Sequence, residues 1–358
     1  MIRIIFQKSL NIKLLEPSYL FMRNLFLLSL LLTFSCSDVN NFSDGPFIYI
    51  EEEKLIEKNV HKGRLKTKML DKNAFQITYS QENAYYDNVD KIVALSDIHG
   101  QYDLFVSLLK QNSIIDNDLN WNFDNGHLVI VGDVFDRGDK VNDVLWTIYR
   151  LEKQAKIKGG RLHYLLGNHE YMVLQKDFRY LNDHHKKLSS FFNVEYDELY
   201  NNETVIGRWL RSKPTIIKIN DIVFTHGGIS EEFLNKYGSD FNLINSIMKN
   251  NIDTPREDLR SMEDYELFYG DNSLVWHREF FSNYGRQLDN DDIDNILSLL
   301  DSNHIVVGHT SQDNVVDLYD KRIFGVDSSM KLGEYGEFLL FENNKFYRVK
   351  LNGEKVEL

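Results

Sequence analysis

Five times between Lys91 and Thr310 an apolar, β-branched run stops abruptly on residues whose side chains can hydrogen-bond or bind metal. The runs are KIVALSD, HLVIVGD, LHYLLGNHE, DIVFTHGG and HIVVGHT, and each reads as a strand closed by polar, often Gly-flanked residues. Helical periodicity lies between several of them. YDLFVSLLKQ follows the first run. VNDVLWTIYRLEKQAKIKGG follows the second, with Val144, Leu145, Ile148 and Leu151 on one face and Gly159-Gly160 as a stop. DDIDNILSLLDSN precedes the fifth in the same manner. Strands that alternate with helices indicate a layered α/β protein.

The flanks differ from this core. FIYIEEEKLIEKNVHKGRLKTKML and AFQITYS read as short strands, so residues 47–88 are expected to form an N-terminal β-meander too small to hold a core alone. EFLLFENNKFYRVKLNGEKVEL reads as a second meander with turns at Asn343-Asn344 and Asn352-Gly353. The stretch from Tyr171 to Lys213 has irregular helical periodicity and is expected to be an insertion within a main domain spanning 89–358.

The net charge of −13, from 41 Lys and Arg against 54 Asp and Glu, repels a phosphate backbone and argues against nucleic acid as a partner. The single cysteine, Cys36, excludes an internal disulfide. It ends MRNLFLLSLLLTFSC, where Arg23 precedes an apolar run from Leu25 to Phe34, the layout of a secretory signal and too short to span a bilayer. LLTFSC resembles the lipobox of bacterial lipoproteins, which implies a leader over 1–36, lipidation at Cys36, a polar tether over 37–46 and an exported, membrane-anchored protein. Met22 stands where such a signal would begin, so residues 1–21 are expected to precede the true start.

In α/β sheets, ligands collect at the carboxyl ends of strands. The five runs deliver Asp97 and His99, Asp133, Asn168, His226 and His309 there. Oxygen and imidazole donors without thiolate suit divalent Mn, Fe or Zn, and the set is large enough for two ions sharing Asp133. A lone Asp at a strand end is commonly a turn cap, but five independent caps would not each bring a suitable donor.

The ordered motifs SDIHG, GDVFDRGD, GNHE, THGG and GHT resemble the phosphoprotein phosphatase branch of the calcineurin-like metallophosphoesterases. NWNFDNGHLVIVGDVFDRG, LVWHRE, IVVGHT and VDSSM look most like the bacterial Shewanella-like phosphatases. The resemblance spans Asp97 to Met330 and implies a layered sandwich of two mixed β-sheets flanked by helices. It further implies that Asp97, His99 and His309 hold one metal with Asp133, and that Asn168 and His226 share Asp133 on the other. Arg137 would grip phosphate oxygens, with Arg278 as a second clamp. His169, oriented by Asp136, would protonate the leaving oxygen. The implied reaction is in-line attack of a metal-bridging hydroxide on a phosphomonoester, with phosphorylated protein as the first substrate class. A cysteine nucleophile is excluded, because Cys36 lies in the leader.

The remaining candidates read as structural. Glu170 is expected to cap the helix that follows, and His163 to be a core residue. His184 and His185 are expected to be solvated, and His277 and His304 structural. Trp121 and Trp276 are expected to pack, with a substrate rim as the alternative use. Two other functions compete: hydrolysis of a nucleotide or dinucleoside polyphosphate, and a non-catalytic surface-anchored binding protein. The unbroken donor set disfavours the second, and the acidic balance mildly disfavours a polyanionic substrate.

Overall fold

The computed structural model describes residues 41–52, 54–282, 284 and 287–358; Cys36, the leader and residues 37–40 of the tether lie outside them. Among the described residues no helix is long and apolar enough to cross a membrane. The first three strands, β1 (Asp44–Glu51), β2 (Lys54–His61) and β3 (Arg64–Leu70), form an antiparallel sheet of their own. The tether expected through residue 46 therefore ends early, since Asp44 already pairs with Val60. This small sheet leans on the 171–213 region, where Phe47 meets Phe192 and Tyr200 edge-on and the Ile50 amide donates to the Glu203 carbonyl at 2.7 Å.

AFQITYS is not a strand. Its side chains do alternate, with Phe75, Ile77 and Tyr79 partly buried against the core. Phe75 and Tyr79 pack on a helix, Val141–Ile157, through Trp146 and Tyr149 rather than along a sheet edge. A strand needs a backbone neighbour as well as a two-residue period, and only the period is visible in sequence.

The two main sheets draw on strands from the whole remaining chain. They are β4 (Tyr85–Tyr86), β5 (Lys91–Leu95), β6 (His127–Ile130), β7 (Arg161–Tyr164), β8 (Ile216–Ile219), β9 (Ile222–Thr225), β10 (His304–Val307), β11 (Val316–Leu318), β12 (Ile323–Gly325), β13 (Glu337–Glu342), β14 (Lys345–Lys350) and β15 (Lys355–Glu357). One sheet has the order β15-β14-β13-β5-β6-β7, parallel from β5 to β7 and antiparallel elsewhere. The other has the order β11-β12-β10-β9-β8-β4, with β9, β10 and β12 parallel. The expected sandwich of two mixed sheets is therefore the architecture observed.

The apolar runs lack strict alternation because both faces of these strands are buried. Ile92 and Ala94 of β5, Val129 of β6, Ile222 and Phe224 of β9 and Val306 of β10 meet in one layer between the sheets. Their neighbours Val93, Leu95, Leu128, Ile130, Val223, Ile305 and Val307 join the larger core on the outer faces. Parallel strands need helical crossovers, and Tyr102–Gln111 and Val141–Ile157 supply those joining β5 to β6 and β6 to β7. The hairpin between β13 and β14 turns through Asn343 and Asn344 at φ of 54° and 58°, the left-handed pair that a tight two-residue turn requires.

Phe224 sits in the layer between the sheets at 1% exposure. Its replacement by Ala is expected to lower unfolding free energy by ~3–5 kcal/mol, read as a reduced urea midpoint at unchanged slope.

Candidate active site

Both parallel blocks end on the same side of the sandwich, and the motif residues sit just beyond the strand tips. Asp97 and His99 follow β5, Asp133 follows β6, His226 follows β9 and His309 follows β10. Asn168 and His169 open a short helix, Asn168–Leu174, after β7. Backbone bonds stitch neighbouring tips together: Asp97 N–H donates to the Gly132 carbonyl at 3.1 Å, His99 N–H to Asp133 at 3.0 Å and Gly308 N–H to His226 at 2.8 Å. Gly132 and Gly167 permit this closeness. A Cβ on Gly132 would stand 2.7 Å from the Gly167 Cα, and one on Gly167 only 2.3 Å from the Asp133 carboxylate.

Asp97, His99, Asp133, Asp136, Arg137 and His309 all have positive φ, between 45° and 66°. Left-handed backbone at non-glycine residues costs ~1–3 kcal/mol each and gathers at sites whose surroundings over-determine it. Asp, Asn and His tolerate it best. The motifs therefore carry residue types that suit both the chemistry and the turn.

The side chains converge as their order along the chain suggests. His226 Nε2 lies 3.1 Å from Asp133 Oδ2 and 3.0 Å from Asn168 Oδ1. His99 Nε2 lies 3.7 Å from both Asp97 Oδ1 and Asp133 Oδ2. Two groups, His99 with Asp133 and His169, and Asp133 with His226 and His309, bring donor atoms within 4.8 Å of one another, close enough to hold a metal ion. The donor set fits such an ion on chemical grounds. His99 Nδ1 donates to the Phe135 carbonyl and His226 Nδ1 to the Val131 carbonyl, both at 2.7 Å, which orients the Nε2 atoms inward as metal-binding imidazoles require. His309 Nε2 is buried with no protein partner.

Electrostatics at the site follow from burial and close charges. Burial opposes ionisation of Asp97, yet the bond from His99 and the charge of His226 hold it at about 2. Burial likewise disfavours the His226 cation, but Asp133 outweighs it and pushes the imidazole up to about 10. His309 goes the other way: burial, with the His226 and Arg278 charges, holds it well below the usual histidine range.

Glu170 does more than cap its helix. It reaches back to the Gly167 N–H at 2.6 Å, as expected of a cap, and also accepts the N–H groups of Asp133, Val134 and Phe135 and the Tyr164 hydroxyl. One fully buried carboxylate thus locks the GDVFDRG loop to the GNHE turn. Burial and the charge of Asp133 raise its pKa, and the backbone donors act against that rise.

The cleft above these residues has a volume of about 130 Å³. Arg137, His169 and Arg278 line it. His169 Nδ1 donates to Asp136 Oδ2 at 2.6 Å, which leaves Nε2 facing the cleft, 3.8 Å from Asp133 Oδ2. Tyr180, Trp276, Tyr284, Ser311 and Lys331 also line it, and of these only Trp276 is a rim candidate by sequence. Tyr180 lies under the Arg137 guanidinium at 5.1 Å, and Asn182 donates to the Arg137 carbonyl at 2.5 Å. Both come from the 171–213 region, whose irregular periodicity carries no signal for them.

Two expectations need correction. His185 is not solvated: it is 1% exposed, and its Nε2 donates to the Gly138 carbonyl at 3.1 Å. His184 is half-buried, 2.8 Å from Asp44. A helix packed between the N-terminal sheet and the catalytic loop buries a residue that looks polar in sequence. His163 is a core residue as expected, 3.0 Å from His127, and Trp121 packs on Phe123.

The chain belongs to the calcineurin-like phosphoesterases, whose family model matches residues 90–313. It is therefore a metallophosphoesterase, a hydrolase of phosphoester bonds. It is similar to a cold-active protein-tyrosine phosphatase of a psychrophilic Shewanella species, with 39% identity and a TM-score of 0.83 over 88% of this chain and 99% of that one. It is also 28% identical to the Shewanella-like protein phosphatase 1 of Plasmodium berghei over 86% of this chain and 88% of that protein. Shewanella-like protein phosphatase 2 of Arabidopsis thaliana is 24% identical over 69% of this chain.

Conversion of Glu170 to Gln puts an amide N–H against backbone N–H groups at a fully buried position. It is expected to cost about 1–3 kcal/mol of stability, measured by urea unfolding, and to lower activity through displacement of the Asp133 loop.

Proposed function

We propose that this chain hydrolyses phosphomonoesters on protein side chains, with phosphotyrosine as the preferred group. The convergence of two cations, Arg137 and Arg278, with His169 above a buried Asp and His cluster carries the reading. An aromatic rim supports the tyrosine preference. Tyr180 and Tyr284 are 43% and 49% exposed and flank the cleft with Trp276, so a phenyl ring entering behind its phosphate meets apolar faces. The Shewanella relative at 39% identity is itself a protein-tyrosine phosphatase by name.

Asp97, His99 and Asp133 would hold one divalent ion of the Mn, Fe or Zn class, and Asp133, Asn168, His226 and His309 a second; His309, expected beside Asp97 and His99, is assigned to the second because its donor atom groups with those of Asp133 and His226. Such ions supply Lewis-acid polarisation of the phosphate and a water made acidic enough to attack near neutral pH. Arg137 and Arg278 orient the phosphate through paired N–H donors and offset its charge. Asp136 accepts the His169 Nδ1 proton and so fixes the ring with Nε2 toward the leaving oxygen, where a proton is needed as the ester bond breaks.

The experiment that tests this reading compares release of phosphate from a phosphotyrosine peptide, a phosphoserine peptide and diadenosine tetraphosphate by Mn-loaded protein. The phosphotyrosine peptide is expected to give the highest kcat/KM. Dominant cleavage of the dinucleotide would transfer the assignment to nucleotide hydrolysis, and no turnover by a fully loaded site would leave only a binding role. His169→Asn is expected to lower kcat by ~10²–10⁴-fold with metal content unchanged.

Loading should also release protons. In the metal-free chain His226 is held protonated, up to about 10, by Asp133 and by acceptors at both ring nitrogens. It must lose the Nε2 proton to act as a ligand. Proton uptake in place of release on Mn addition in weak buffer at pH 7 would contradict His226 as a ligand; the expected sign is release, with affinity falling as pH is lowered.

Export and lipidation at Cys36 are part of the same proposal, supported by the Arg23 to Cys36 leader pattern. Globomycin is expected to block processing of the leader, and Cys36→Ser to release the protein from the membrane fraction.

A further inference from the structure

A second cluster of metal-binding side chains lies outside the cleft, where the N-terminal sheet meets the 171–213 region. Asp44 of β1 and the neighbouring His184 and His185 bring donor atoms within 4.8 Å of one another. His184 Nε2 is already 2.8 Å from Asp44 Oδ2. His185 supplies the independent observation. Its Nε2–H donates to the Gly138 carbonyl at 3.1 Å, so Nδ1 carries the lone pair of the neutral ring. That Nδ1 is buried in a residue only 1% exposed and has no hydrogen-bond partner. A buried imidazole that gives one N–H to a backbone carbonyl and leaves the other nitrogen bare is arranged as a metal-ligating histidine is.

We propose that Asp44, His184 and His185 form a separate divalent-cation site of the zinc class, which ties the N-terminal sheet to the loop that carries Arg137. Two imidazoles and one carboxylate are a donor set for zinc, with a fourth position left for water. Asp44 and His184 also line a groove of about 630 Å³, shared with Asp139, Lys140 and Asp143, through which an ion and water can reach them. Lys140 does not compete for the site, because its ammonium is taken by Asp103 at 2.5 Å. Burial and then the Asp44 carboxylate raise the pKa of Asp143, a repulsion that a bound cation would relieve.

The link to function is mechanical. Gly138 follows Arg137 directly, and its N–H donates to the His99 carbonyl at 2.9 Å. An ion that fixes the His185 ring fixes the carbonyl at the end of this loop.

The test strips the full chain with chelator, reloads it with zinc, desalts it and counts bound metal by mass spectrometry. Asp44→Asn and His184→Gln are each expected to carry one zinc equivalent fewer than the parent. Asp133→Asn should keep that equivalent and lose metal from the cleft instead, so failure of the cleft assignment reads out on a different variant. His185→Gln should behave as Asp44→Asn does, and the two half-buried positions keep the test decisive if this buried one impairs folding. A parent zinc content matched by Asp44→Asn or His184→Gln would overturn the proposal and reduce the cluster to an ion pair. In crystals, a zinc anomalous peak beside His185 Nδ1 is expected, and clear density there without one would overturn it equally.

Discussion

Everything at the site depends on stacking two sheets whose parallel strands end on the same side. The layer that contains Val129, Ile222, Phe224 and Val306 sets the separation of those sheets, and with it the separation of Asp133 from His226 and His309. The loops beyond the strands are short, so side chains inherit the rigidity of the ladders. Burial on both faces excludes water from the strands and lets a few charges dominate the crevice.

Concentrated charge is the cost of this arrangement. Asp97 and Asp133 are buried close together, and each would resist ionisation if it stood alone. His226 and His99 answer them with raised imidazoles in the metal-free chain. The same pairs neutralise one another as protonated imidazole and carboxylate, and their donor atoms lie close enough together to hold a metal ion. Glu170 contributes a further buried anion, yet its donors are mainly backbone N–H groups, so it holds geometry rather than a counter-ion. The left-handed residues at the strand tips are held in place by this bonding, which explains how strain at Asp97, Asp133 and Arg137 persists.

The regions outside the strand core shape access. Tyr180 and Asn182 reach from the 171–213 region to Arg137, and the N-terminal sheet packs on the far side of that region. The Arg137 loop is consequently braced from two directions: by Glu170 beneath it and by His185 at Gly138 beside it. The position of Arg137 therefore depends on residues far from it in sequence.

By itself the sequence determined the strand–helix alternation, the layered class and the polar residues that close the strands, because each is a local pattern: an apolar run, a helical period, or a polar residue at a strand end. The same locality let Glu170 be read as a cap but not as the joint between two loops, since four of its five partners come from other turns or strands. Only the tertiary structure decided that Phe75 and Tyr79 pack on a helix and not along a sheet, that His185 is buried, and that Tyr180, Tyr284, Ser311 and Lys331 line the cleft. These depend on which surfaces meet across long separations along the chain, and periodicity within a segment specifies a buried face without naming the partner that buries it.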